Sequence, residues 1–370
     1  MLIRRASTIG RFWIACVATA AVARAANETP VATTAGDAGS SAASASKSAA
    51  GPGTTGSGAA LSSDVMTLLP LELTAFADFR YRFTEPAEDQ FEIGSVELDS
   101  AMQISPHVLV SAAFAYSPSE DKVGIGAFTV DGSVFGPDKK HLIKSEFFSD
   151  SGVVFGKFDV PFGIAYLEYP ATENRFVNLP GVVMATHGGW NDLGMQAYAV
   201  ADHFDLTLYF VNGDALEGGD AKLTGKFAHH ASGGRLGVKP VPGLSLGGSI
   251  ASAGGTLDTG MWSVDLSMTT GPLSIKNEFI RRTTADAPVT QGAYTEALTR
   301  VGAFFAGVRY ETTLTGPEVV DNAGAVTAGA EVFPQAEIRV AHLRSFENSS
   351  ETTFLQLVGG SIWQPTGLRR

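Results

Sequence analysis

From Leu71 almost to the C-terminus the chain alternates. In LELTAFADFRYRF, Leu71, Leu73, Ala75, Ala77, Phe79, Tyr81 and Phe83 share one face of an extended strand, and Glu72, Asp78, Arg80 and Arg82 share the other. HFDLTLYFV sets Phe204, Leu206, Leu208 and Phe210 against Asp205, Thr207 and Tyr209. MWSVDLSM likewise sets Trp262, Val264, Leu266 and Met268 against Ser263, Asp265 and Ser267. Successive side chains on a strand point to opposite faces, so this period marks sheet with one oily and one polar surface. No amphipathic helix of comparable clarity occurs, and the expected fold class is all-β.

An oily face needs either a second sheet or lipid, and the connections decide between them. Tight ones fall at Ser105-Pro106, Ser149 to Gly152, Ala201-Asp202, Lys239 to Gly243, Gly271-Pro272, Leu298 to Arg300 and Phe333 to Gln335. Longer ones lie between them at 85–90, 118–139, 161–191, 213–231, 254–259, 284–290, 313–324 and 346–351. Strict alternation of short and long connections is the habit of outer-membrane barrels, with short turns on the periplasmic side. A soluble sandwich has no reason to sort its loops in this way. Seven short and eight long connections predict sixteen strands, a transmembrane antiparallel barrel over 71–363 and both ends of the barrel in the periplasm. Keeping this parity assigns Val123 to Asp131 to the second outer loop. The fifth strand is then VVFGKFDV, with Val154, Phe158 and Val160 toward lipid and Lys157 and Asp159 toward water.

The rest of the chain fits export to such a membrane. Residues 1–25 carry Arg4, Arg5 and Arg11, an apolar run from Phe12 to Ala21 and a closing Ala23-Arg24-Ala25, the pattern of a cleaved signal peptide. The run is too short for a helical anchor, which needs about 20 apolar residues. Cleavage would remove Cys16, the single cysteine, so no disulfide framework is expected. Residues 26–70 are rich in Ala, Ser and Gly and read as a disordered periplasmic tail. Residues 364–370 read as a short extension. The net charge of −12 argues against a nucleic-acid partner. Past the leader no run of about 18 apolar residues occurs, so a membrane would be crossed by strands.

Several stretches together resemble one family. FGKFDVPFG before a long loop, GRLGVKPVPGLSLGGSI as strand, Pro-Gly turn and strand, FFAGVRYE, and TAGAEVFPQAEIRVAHL leading to TFLQLVGGSIW are similar to the phosphate-selective porin superfamily of Gram-negative outer membranes. The resemblance implies a sixteen-stranded barrel, usually a homotrimer in outer-membrane lipid, whose third outer loop folds inward to narrow a passive pore for small hydrophilic solutes. Here that loop is 161–191, which opens on Pro161, a residue unable to donate to a sheet ladder. The chain departs from the family in lacking a lumenal ladder of Arg and Lys, and in continuing as QPTGLRR after Trp363.

The inward faces predict pore-lining acids at Glu72, Asp78, Glu97, Asp99, Asp159, Asp205, Asp265, Glu278, Glu311 and Glu337. The matching bases are Arg80, Arg82, Lys157, Lys276, Arg282, Arg309 and Arg339. Rings of carboxylate favour cations, so the slight acidic excess predicts a weak cation preference, unless opposite charges pair across the wall and brace it. His187, Trp190 and Asp192 are expected in the constriction loop, with Trp190 either a stacking surface in the pore or an interfacial anchor. His187 near Asp192 has no recognisable nucleophile beside it. His229-His230 lacks partners at metal-ligand spacing. No cofactor, metal or enzymatic chemistry is expected. A non-conducting barrel acting as a surface receptor or scaffold is the competing reading, favoured by the long tail.

Overall fold

The computed structural model describes residues 71–85, 89–117, 121–169, 171–213, 216, 230–254 and 258–363. The proposed leader, tail, C-terminal extension and His229 lie outside them. Sixteen antiparallel strands close into one barrel. They are β1 (Leu71–Glu85), β2 (Gln90–Ser105), β3 (Val108–Ser117), β4 (Lys122–Ser133), β5 (Asp150–Asp159), β6 (Asn191–Val200), β7 (Phe204–Val211) and β8 (Ala231–Val241). There follow β9 (Leu244–Ala253), β10 (Thr259–Thr270), β11 (Leu273–Thr284), β12 (Thr290–Val301), β13 (Phe304–Thr315), β14 (Glu318–Phe333), β15 (Ala336–Ser345) and β16 (Glu351–Trp363). β1 pairs with β16 from Leu73 opposite Trp363 to Glu85 opposite Glu351, and this pairing removes the last sheet edge.

The period-two pattern becomes an outer and an inner row. Phe79, Leu98, Phe114, Leu208, Phe210, Trp262 and Val264 are exposed on the outside, while Asp78, Tyr209, Ser263 and Asp265 are buried within. Closure satisfies the backbone and leaves an apolar outer surface, the two conditions a lipid-facing wall has to meet.

Four readings of the connections and faces are corrected. Val123 to Asp131 is not loop but lies in β4, paired with β3 along its length, with a bulge between Ala113 and Phe114 that disturbs the alternation around Gly126. The stretch left for a fourth strand near 140–148 instead belongs to a long connection, 134–149, at the short-turn end, and the two errors cancel in the count. Residues 313–324 are not a long loop: β13 and β14 continue to a turn at Gly316 and Pro317, the Gly/Pro/Asn composition notwithstanding. The turn expected at Leu298 to Arg300 falls later, after Val301, because Thr299 and Arg300 still pair with Ala306 and Phe305.

The fourth correction concerns β5. Val154, Phe158 and Val160 are buried in the molecule's main apolar cluster, together with Phe162, Val182, Val183, Trp190 and Tyr209, so this face points inward. Phe155 is 53% exposed on the opposite face, opposite Val130 and Met195. The inside of the barrel is itself oily here, because the following loop packs into it.

Candidate functional site

The 31 residues between β5 and β6 fold into the barrel. They hold a short 3-10 turn, Ala165–Glu168, and one short helix, α1 (Gly181–Thr186). Phe162, Ile164, Val182 and Val183 are buried against Tyr209, Met261, Ile280 and Tyr294 of the wall. Burying a side chain of this size stabilises by about 1.5–3 kcal/mol.

Four inward arginines clamp the loop through its own carbonyl oxygens. Arg235 Nε donates to Gly163 O at 2.7 Å, Arg282 Nη1 to Thr186 O at 2.6 Å and Arg309 Nη1 to Asn178 O at 2.8 Å. Arg339 Nη1 donates to Ala171 O at 2.7 Å and to Asn174 O at 2.8 Å. Wall carboxylates take the loop's amides in turn: Ile164 N donates to Glu278 Oε1 at 3.1 Å and Gly181 N to Glu311 Oε2 at 3.0 Å. Gly163 has φ +71°, and a β-carbon there would run into the Glu278 carboxylate. A side chain would conflict with both the backbone and the wall.

The same charges neutralise one another. Arg235 bridges Asp205 at 3.2 Å and Asp265 at 2.8 Å, with Gly247 leaving room beside it. Arg309 lies 3.3 Å from both Glu296 and Glu311 and stacks over the Phe176 ring of the loop. Arg339 donates to Glu337 at 2.8 Å, and Arg175 of the loop pairs with Glu337 at 3.1 Å. Lys276 pairs with Glu168 of the loop. On β1, Arg80 pairs with Asp78, which also accepts from Gln356 at 2.8 Å. These guanidiniums each meet several acceptors, as their fixed fork allows.

The inward charges therefore divide. Those on β7 to β15 are buried or paired under the loop. On the arc β1 to β4, Glu97 and Asp99 sit two residues apart on one face of β2, opposite Phe76 and Thr74 of β1, and neither has an ion pair with a base among the described residues. Asp159 is exposed and accepts from Asn191 Nδ2 at 2.8 Å. β5 pairs with β4 only up to Lys157, whose Nζ reaches the Ile125 carbonyl at 2.8 Å. Arg82, half-exposed, has Glu92 3.9 Å away. Glu72 lies near the start of β1, partly buried. No hydrogen bond joins the 160–190 loop to β1–β4 among the described residues.

The three residues expected in the constriction are part of the loop's packing and not of an open passage. Trp190 is 1% exposed, stacked edge-on against Tyr209, with Nε1 donating to Asp192 at 3.1 Å. It is neither a solute platform nor an interfacial anchor. Asp192, fully buried at the start of β6, also accepts from Gly213 N at 2.8 Å. His187 caps α1, packs on the edge of Phe162 and shares a 3.0 Å contact between Nδ1 and Thr186 Oγ1. Burial, and secondarily the Arg282 charge, push its pKa down to about 3, so the ring is neutral at pH 7. His230 stacks on Phe210, and no set of metal-ligating side chains occurs among the described residues.

Sequence reasoning missed Arg235, Glu296, Arg175 and Glu168. Arg235 was legible: Leu236 and Val238 are outward, so period two places Arg235 inward. Glu296 lies in TQGAYTEAL, polar on both faces, and Arg175 and Glu168 lie on a loop without periodicity.

A closed antiparallel barrel of this kind is a fold that solved outer-membrane porins carry. The chain is similar to Salmonella typhi OmpF in complex with daunomycin, at 8% identity and TM-score 0.59, over 79% of this chain and 98% of that one. An OmpT structure from Vibrio cholerae, an outer membrane protein in trimer form, matches at 10% identity and TM-score 0.53, over 79% and 99%. A mutant of Rhodopseudomonas blastica porin matches at 12% identity and TM-score 0.51, over 79% and 100%. These similarities establish the fold. No protein-family profile and no curated protein matches the sequence.

Proposed function

We propose that this chain is an outer-membrane channel that lets small hydrophilic solutes or ions diffuse passively, with a weak preference for cations. The observation that carries the reading is the division of inward charge. The clamped loop covers the β7–β15 side, where acids and bases cancel, and the passage runs along β1–β4. There it meets Glu97 and Asp99 on one side and Arg80 and Arg82 on the other. Carboxylates that lack a basic partner lower the energy of a cation beside them, whereas paired charges contribute little net field.

Export through a leader at residues 1–25, insertion into Gram-negative outer-membrane lipid and assembly as a homotrimer belong to the same proposal. The apolar outer rows and the trimer form of the Vibrio cholerae barrel support it. Transport of this kind needs no cofactor and no catalytic residue. The test is conductance of the refolded mature chain in a planar bilayer under a salt gradient. Discrete steps with a reversal potential of cation sign are expected. A folded, inserted protein that stays silent overturns the channel reading and favours a receptor or scaffold, and an anion sign overturns the cation preference.

A further inference from the structure

The 134–149 connection is the one long crossing at the short-turn end among the described residues, and it is built rather than loose. Phe135–Gly136 bridges Ile143–Lys144 in parallel, with Ile143 N donating to Val134 O and Ser145 N to Gly136 O, both at 2.8 Å. His141, almost fully buried, sits between Asp138 Oδ1 at 2.8 Å and Asp150 Oδ1 at 3.1 Å. The His107 ring and the Lys140 carbonyl, 2.8 Å apart, tie it to the neighbouring turn.

This small structure turns its apolar side chains outward. Leu142 is 63%, Ile143 51% and Phe147 66% exposed. Phe147 packs on Phe148 at 4.9 Å and on Phe204 at 5.9 Å between ring centroids. Phe204 heads the outer row that continues through Leu208 and Phe210, so the patch is continuous with the lipid-facing wall. Lys139, Lys140 and Lys144 interleave with it. Lys140 lies 3.6 Å from Asp150 and Lys144 3.9 Å from Glu146, both pairs exposed to solvent, and Asp138 faces His141.

We infer that 134–149 is an interfacial foot that sets Leu142, Ile143 and Phe147 into the headgroup and acyl boundary of the leaflet at the short-turn end. Its partner is a phospholipid surface. Apolar and aromatic side chains with lysines around them favour that boundary, where apolar groups enter about 5–10 Å and ammonium groups stay at the phosphates. A foot of this kind would fix the height of the barrel on the side where the inward loop leaves β5. The inference rests on the membrane-barrel reading but not on conduction.

The test uses the full chain with Cys16→Ser and a fluorophore on Ile143→Cys, or on Asp138→Cys as control. Each is refolded into phosphatidylcholine vesicles containing lipid nitroxides near the headgroup. Folding is read from heat-modifiable gel mobility. Quenching at position 143 about twofold stronger than at 138, with blue-shifted emission, is expected for residence in the boundary. Water-like emission without quenching from a folded, inserted barrel overturns the foot, as does protection of position 143 by cross-linking to a second copy. A quenched but non-conducting barrel would overturn the channel reading alone.

Discussion

Arg309 on the barrel wall donates to the carbonyl oxygen of Asn178 in the inward loop at 2.8 Å, while its other guanidinium contacts hold Glu296 and Glu311. One side chain thus joins the wall's electrostatics to the position of the loop. In Arg309→Leu, two buried carboxylates lose their base and the loop loses a tether. A barrel about 3–5 kcal/mol less stable in denaturant titration is expected, since breaking a buried pair leaves charge uncompensated. Single-channel traces should be noisier and their steps larger. Unchanged stability and unchanged steps would remove the clamp from the account.

The acidic arc has a separate signature. Glu97→Gln with Asp99→Asn removes two wall carboxylates on the β1–β4 arc that have no ion pair with a base among the described residues, so the reversal potential should move from the cation side toward zero or beyond. Asp205→Asn, inside a neutralised triad with Arg235, should shift it much less. Equal shifts from both variants would contradict the division of inward charge.

Gly163 tests the loop's entry. Its φ of +71° and the nearby Glu278 carboxylate leave no room for a methyl group. Gly163→Ala should cost about 1–3 kcal/mol in unfolding experiments, through backbone strain alone. Gly271→Ala, at a turn with the same sign of φ but open space around it, should cost less.

His187 makes stability depend on pH in a defined direction. Its pKa falls from the ordinary 6.5 to about 3 in the folded chain, chiefly by burial. Between these values the unfolded chain binds the extra proton, so the neutral ring's contribution is complete above pH 6.5 and is lost as the pH falls toward 3. Comparing unfolding free energies of the wild type and His187→Leu across this window isolates the effect. The difference should shift in favour of the variant on acidification, and a difference that is flat with pH would count against it.

The reversed face of β5 can be read directly. A cysteine-linked probe at Phe155 should be quenched by nitroxides in the acyl region, and one at Val154 should not, once the labelled barrels are shown to fold. Quenching at 154 alone would restore lipid contact for that face.

How far the sequence carries the structure depends on what each face touches. On β1, β7 and β10 the outer row is apolar and exposed and the inner row is polar, an arrangement that a period-two alternation such as LELTAFADFRYRF expresses directly. β5 breaks the rule because its inner face meets the apolar loop. Its pattern of Val154, Phe158 and Val160 is read as lipid-facing by any argument that equates oil with membrane. β4 was hidden by a bulge and by the small residues Gly124, Gly126 and Ala127, which weaken the period-two signal.

The sequence by itself determined an all-β wall of antiparallel strands, most of its tight turns and the long third loop, because strand periodicity and turn chemistry are local properties; the count of sixteen held only because the misplaced fourth strand offset the hidden β4. Only the tertiary structure decided which inward charges cancel. Arg339 meets Ala171 across 168 residues of chain and Arg235 meets Gly163 across 72, and pairing over such separations depends on closure of the barrel and the path of the loop. A count of acids and bases treats every inward charge as equal, whereas ion pairs under the loop offset most of those on β7 to β15.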